Sequence, residues 1–250
     1  MRTRLFLSAA LALTASVVLP HAALAQAPAA APPPPPLTAT ASAGLALTSG
    51  NKDTSTLNLG YELAYDPKTR NVIKSDGLYL RGKTDGTLTA DRLGLNGRDE
   101  YQLHDRAFVF GQVQYLQDQF KNIDYLVSPA GGLGYRLVNS DRTKLLVDAG
   151  LGGVWEKPLL GEVKSSGAVN FDEKFSHRIS PTATLSQSVS ALYKTSDFGD
   201  ALYTFGASVT SALTPKTQIK VEVLDVYKTL VVPGIEKNDV ALIVGMVFKR

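Results

Sequence analysis

The sequence contains no cysteine. Disulfides, thiolate metal centres and cysteine nucleophiles are therefore excluded, and backbone pairing and packing must hold the chain together. Histidine is almost as scarce, with His21, His104 and His177 the only three. Beyond residue 25 no stretch approaches the ~18 apolar residues expected of a membrane helix. A strong excess of one charge is also missing. The formal net charge is +3, with Arg2 and Arg4 contributing two of the positive charges. That balance gives no footprint for nucleic acid, and the interleaving of acids and bases leaves no basic arm or acidic tail. There is no glycine-rich phosphate loop and no His/Cys/Asp cluster at metal-ligand spacing, so no cofactor and no metal are expected.

What is present begins with an export grammar. Arg2 and Arg4 precede the uncharged apolar run Leu5 to Leu19. Pro20 and His21 break the run, and Ala23-Leu24-Ala25 supplies a small-x-small cleavage pattern. Residues 1–25 are expected to be a secretory signal, because the run is short of the ~20 residues that span a bilayer as a helix. Residues 26–41 follow as an alanine- and proline-rich spacer whose five consecutive prolines, Pro32 to Pro36, favour an extended chain.

From residue 42 to 250 the hydropathy period is two. Leu57, Leu59, Tyr61, Leu63 and Tyr65 alternate with Asn58, Gly60, Glu62 and Ala64. Near the end Val240, Leu242, Val244, Met246 and Phe248 alternate with Ala241, Ile243, Gly245 and Val247. A strand between two different environments has this pattern. Twelve such segments are expected, near 42–48, 54–65, 71–83, 87–103, 106–119, 124–138, 143–157, 168–179, 182–193, 200–213, 217–230 and 239–248. Several exceed the ~9–11 residues that cross a bilayer at a tilt. Turn residues punctuate them at Ser49–Asp53, Asp66-Pro67-Lys68, Asp85-Gly86, Asn139-Ser140-Asp141 and Thr214-Pro215-Lys216. Connections alternate between short turns and longer loops such as Glu156–Ala168 and Val231–Asp239, which is the asymmetry of an outer-membrane barrel. The reading is an all-β chain forming an antiparallel, up-and-down transmembrane barrel in the bacterial outer membrane.

Aromatic residues are expected at both rims, with Tyr65, Tyr101, Tyr135 and Phe248 at the periplasmic one and Tyr125, Trp155 and Tyr193 at the outer one. The polar partners of the apolar stripes should face the lumen: Glu62, Arg92, Asn96, Arg98, Glu100, Gln102, Arg136, Asp148, Lys220 and Glu222. Charges in a narrow interior must pair or be hydrated. Two interiors satisfy that requirement, a lumen cross-linked by ion pairs and a small water-filled pore. An acidic pair, Asp172-Glu173, is placed at the barrel rim.

These residues resemble a known family. Ser49-Gly50-Asn51, Tyr101-Gln102-Leu103, Tyr115 to Phe120 with Asp118, Gly132-Leu133-Gly134-Tyr135, Leu213-Thr214-Pro215, and Pro233-Gly234 ahead of Asp239 are similar to the salt-induced outer-membrane protein family. That is a bacterial family of unknown biochemical role. The resemblance covers nearly all of the chain after the spacer, implies a barrel of about this strand number, and carries no catalytic residues. In such barrels the assembly machinery reads a terminal aromatic with the alternating residues before it. Here Val240, Leu242, Val244, Met246 and Phe248 form that signal, followed by Lys249 and Arg250.

The expected partners are outer-membrane lipids, the barrel-assembly machinery and a small solute. The expected role is structural support of the envelope or small-solute passage, with the family name adding salt or osmotic adaptation. A periplasmic all-β binding protein and an outer-membrane lipid hydrolase are the alternatives. The first would need polar outward faces. The second would need a clustered His and Ser, whereas Ser176 and His177 are adjacent in a strand and point to opposite faces. No enzyme activity is expected.

Overall fold

The computed structural model describes residues 36–48 and 54–249. The expected signal, most of the spacer and the turn at 49–53 lie outside the described residues. Within the described residues the chain forms β1 (Leu37–Thr48), β2 (Thr54–Tyr65), β3 (Asn71–Thr84), β4 (Thr87–Gln102), β5 (Ala107–Asp118) and β6 (Ile123–Asn139). It continues with β7 (Thr143–Lys157), β8 (Lys164–Arg178), β9 (Ala183–Lys194), β10 (Asp197–Ala212), β11 (Thr217–Lys228) and β12 (Asn238–Lys249). A single 3-10 turn, Gln119–Lys121, links β5 to β6. Each strand pairs antiparallel with the next. β12 then pairs with β1 through contacts such as Ala43↔Met246, closing the sheet into a barrel.

Two expected boundaries are corrected. β1 begins at Leu37 rather than at 42, so residues 37–41 of the expected spacer belong to the wall. β8 begins at Lys164 rather than at 168, because Glu156↔Lys164 and Trp155↔Ser165 extend its ladder with β7. The Glu156–Ala168 loop shrinks accordingly to 158–163.

One end of the barrel carries only short turns, and a repeated bond organises it. The residue before each outgoing strand offers its carbonyl to a residue at or near the end of a neighbouring returning strand. Gln102 N donates to Arg70 O, Arg136 N to Arg106 O, Arg178 N to Arg142 O and Lys249 N to Lys216 O, each at 2.8 Å. In the first of these turns Asp66 accepts from both the amide and the ammonium of Lys68, which holds its carboxyl below the usual carboxylate range. At the other end Asp85 and Gly86 have φ of 50° and 77°. Two successive left-handed residues form the turn whose twist matches a hairpin, and Asp-Gly is the pair that tolerates it.

The period of two separates the faces. Leu59, Leu63, Leu95, Val113, Leu133, Phe171, Val221 and Leu242 lie on the outside and are exposed, with Leu151 the extreme among strand residues at 70%. Tyr65, Tyr101, Tyr135 and Phe248 are exposed near the short-turn end, and Trp155 near the other, whereas Tyr125 and Tyr193 are half-buried. A continuous apolar belt of this extent is unstable in water and calls for an apolar surround. Among the described residues no helix is long and apolar enough to cross a membrane.

Candidate functional site

The enclosed side of the wall is built in levels. At the short-turn end the inner residues of β1, β9, β10 and β12 are small: Thr38, Thr40, Ser42, Ser186, Ser188, Gly206, Ser208 and Gly245. They leave a cavity of about 620 Å³ that also touches Glu62, Lys74, Asp76, Lys174, Lys220 and Glu222. Lys220 and Glu222 pair at 2.9 Å on its wall. The Asp76 carboxylate accepts from the Asn96 amide at 3.1 Å.

Opposite this cavity, β4 to β7 fill the bore. The Arg98 guanidinium donates to Asp148 at 2.7 Å, to Glu100 at 3.0 Å and to Gln112 at 2.8 Å. It also stacks 3.8 Å from the centroid of the Phe110 ring. Lys74 reaches Glu100 at 2.8 Å, and Arg136 donates to Gln102 at 2.7 Å while lying over the Phe108 ring. Arg98, Glu100 and Asp148 side chains are at most 3% exposed. Buried charges of this kind persist only when every one is paired, and here each is. Room for the rings comes from a missing side chain. A Cβ on Gly134 would sit 2.0 Å from the Phe108 ring.

Toward the other end the bore becomes apolar. Leu80, Leu224, Val226 and Ile243 form one buried group, and Leu116, Ile123, Leu126, Val154, Ala168 and Leu192 form another. Leu202 packs against both, so the two groups make one layer across the interior. Above that layer Glu156 pairs with Lys194 at 2.7 Å and with Lys228, and Lys194 also pairs with Asp200 at 2.5 Å.

The last level is a strap. Asp118 caps the Gln119–Lys121 turn by accepting from the amides of Phe120 and Lys121. The turn aims Lys121 inward, where its side chain is fully buried. Its ammonium donates to the Glu236 carbonyl at 2.9 Å and pairs with Asp239 at 2.9 Å. The β5–β6 connection and β12 stand half the ring apart, so this single side chain ties opposite sides of the mouth.

The family described as a protein of unknown function, DUF481, matches residues 41–249. The chain belongs to the DUF481 family. No protein of curated function matches the DUF481 chain. Among solved structures, the NanC porin is similar with a TM-score of 0.53 and 11% identity, over 86% of this chain and 100% of the porin. An outer-membrane channel from Pseudomonas putida F1 is similar with a TM-score of 0.50 and 12% identity, over 86% of this chain and 95% of the channel. At such identities the likeness concerns the fold, and the DUF481 barrel shares the architecture of bacterial outer-membrane barrels.

Of the residues singled out from the DUF481 sequence, Arg98, Glu100, Gln102, Arg136 and Asp148 meet in one cluster. Arg92 lies apart from it, 3.9 Å from Asp118 under the strap. Glu62, Lys220 and Glu222 line the cavity, and Asn96 holds Asp76 beside it. Val240, Leu242, Val244, Met246 and Phe248 form the outward, exposed stripe of β12. Asp172 and Glu173 are corrected, since both lie within β8 rather than at its rim. Asp172 stands opposite Asp148 on the inner face, and Glu173 accepts from Gln187 on the outer face. His177 stacks on Phe175 and its Nδ1 lies 2.8 Å from Thr143 Oγ1, while His104 sits in a short turn. Among the described residues no group of acids and histidines is placed to hold a metal.

Sequence reasoning missed Lys74, Gln112, Phe108 and Phe110 in the cluster and Glu156, Lys194 and Lys228 above the apolar layer. Parity in β7, β9 and β11 does place the last three inward, two steps beyond Val154, Leu192 and Val226. No periodic signal marks Lys121, because it lies in a loop.

Proposed function

We propose that this DUF481 protein resides in the outer membrane of a Gram-negative bacterium and passes small polar solutes through its bore. The observation that carries this reading is the combination of a solute-sized cavity at one end with a closure at the other whose outermost tie is the single Lys121 side chain. In this reading residues 1–25 direct export, the exposed stripes face lipid, and the stripe Val240 to Phe248 is read by the assembly machinery. The short turns face the periplasm, as in bacterial barrels generally. The lumen is polar at the periplasmic half and is gated at the outer half by the apolar layer, with the Lys121 strap above it. Loops open locally at lower cost than the strands that carry them, so the strap is the mobile part of the closure. The NanC porin and the Pseudomonas putida channel, both named for passage, support the same reading by analogy of fold. A role in salt or osmotic adaptation rests on the resemblance to the salt-induced family alone.

The test is fractionation followed by gel migration with and without boiling, then planar-bilayer recording of the purified barrel. An outer-membrane band that shifts on boiling, with discrete conductance steps, is the expected result. A soluble periplasmic band without a heat shift would favour the all-β binding protein instead. A heat-shifting barrel that stays silent, even with the strap removed, would make the buried clusters permanent cross-links and the protein a structural element of the envelope.

A further inference from the structure

The cations of the bore are not all used alike. Lys74, Lys121, Lys194, Lys220 and Lys228 are each engaged with a carboxylate. Arg142, Lys144, Lys174 and Arg178 have no ion pair among the described residues. Lys144, Lys174 and Arg178 stand on the inner side of β7 and β8 at the short-turn end, Arg142 joins them from the turn before β7, and all four are exposed there. Arg142, Lys144 and Arg178 surround a second cavity of about 330 Å³ together with the hydroxyls of Ser176 and Thr184. Lys174 lines the larger cavity.

The register joins these positions into a track. Lys144 stands directly opposite Ser176, midway between Arg178 and Lys174 on β8. Arg142 lies across from Arg178, and Lys144 is the diagonal neighbour of both Arg178 and Lys174; diagonal cross-strand positions are ~7–8 Å apart, so the charges follow one another at about that distance. The Arg142 Nε donates to the Arg178 carbonyl at 3.2 Å, which fixes the outermost pair of the track against the wall. The acids facing it are Asp141, which lines the same small cavity, Asp172, which stands beside Lys174 along the strand and opposite Asp148, and Glu62 and Asp76, which share the larger cavity with Lys174. Asp148 is already neutralised by Arg98. Along the β7 and β8 wall four cations stand against two carboxylates unpaired among the described residues, Asp141 and Asp172, so this stretch of the path is positive before it reaches Glu62 and Asp76 in the larger cavity, and low-dielectric walls focus such a field along it.

We infer that Arg142, Lys144, Lys174 and Arg178 form an anion track that admits small carboxylate- or phosphate-bearing solutes from the short-turn end into the main cavity. This inference rests on the passage reading for its direction but not for its chemistry. Free solutes rather than lipid headgroups are the ligands, because the register points these side chains away from the apolar belt. Guanidinium and ammonium groups are donors with fixed positive charge, and the two hydroxyls can turn their protons toward a ligand, which suits oxyanions.

The test uses the full barrel folded in detergent and inorganic phosphate as the probe. The phosphorus resonance of phosphate should broaden on adding the wild-type barrel. The variant Lys144→Gln/Lys174→Gln/Arg178→Gln should reduce the apparent affinity by about tenfold or more, as expected for loss of charge-assisted hydrogen bonds. Arg142 is left in place because its side chain also ties the wall. Retention of the heat shift on gels shows that the variant is folded. Equal broadening by wild type and variant, or none by the wild type, would overturn the inference. Reversal potentials across a KCl gradient give the second readout. Chloride preference in the wild type, lost in the variant, supports the track, and cation preference in the wild type contradicts it. Phosphate binding without any conductance would refute passage while leaving the anion site standing.

Discussion

Arg98 on β4 and Asp148 on β7 meet at 2.7 Å across three strand spacings, and neither is more than 3% exposed. The pair spans the bore in front of β5 and β6. Removing only the cation leaves a buried carboxylate without its ion-pair partner. Arg98→Met should therefore cost about 3–5 kcal/mol. Adding Asp148→Asn should recover much of that loss, because Glu100 keeps Lys74 and Arg136. Urea midpoints of the barrel refolded in lipid vesicles decide it, and equal stability of the single variant and the wild type would show the pair to be energetically idle.

A second prediction concerns packing. Gly134→Ala places a methyl group 2.0 Å from the Phe108 ring. The ring is fully buried and has little room to move, so overpacking should cost about 1–3 kcal/mol. Phe108→Leu should relieve it, and a double-mutant cycle should show coupling between the two positions. Additive effects would mean that the ring vacates the site freely.

The third prediction distinguishes the two faces. Leu151 points outward from the middle of β7. Leu151→Arg should cost about 2–4 kcal/mol of folding free energy in a bilayer. Thr40→Lys points into the large cavity, where water can hydrate the charge, and should cost under about 1 kcal/mol. Folding titrations in vesicles give both values, and a reversed order would invert the assignment of inside and outside.

The barrel was legible where neighbouring residues differ sharply in hydropathy. Leu57 to Tyr65 and Val240 to Phe248 alternate so clearly that β2 and β12 are found to within a residue or two. β1 was cut short because Thr38, Thr40 and Ser42 alternate with alanines, and small residues give little contrast. The start of β8 was missed because Lys164, Ser165, Ser166 and Gly167 have no apolar stripe and are held by pairing with β7. The inner cluster was half legible. Alternation puts Arg98 and Glu100 on one face, but only closure of the barrel brings Asp148 to them from three strands away. Lys121 carried no signal, since its burial depends on a loop conformation set by the Asp118 cap.

The most direct test of the account is planar-bilayer conductance of Lys121→Ala beside the wild type. The partner Asp239 is 45% exposed on its side chain, so it can rehydrate and the substitution should leave the barrel folded, with an unchanged heat shift. If the strap closes a passage, the variant opens more often and carries a larger mean current than the wild type. Identical traces from the two folded proteins, whether silent or conducting, would contradict a gate at Lys121.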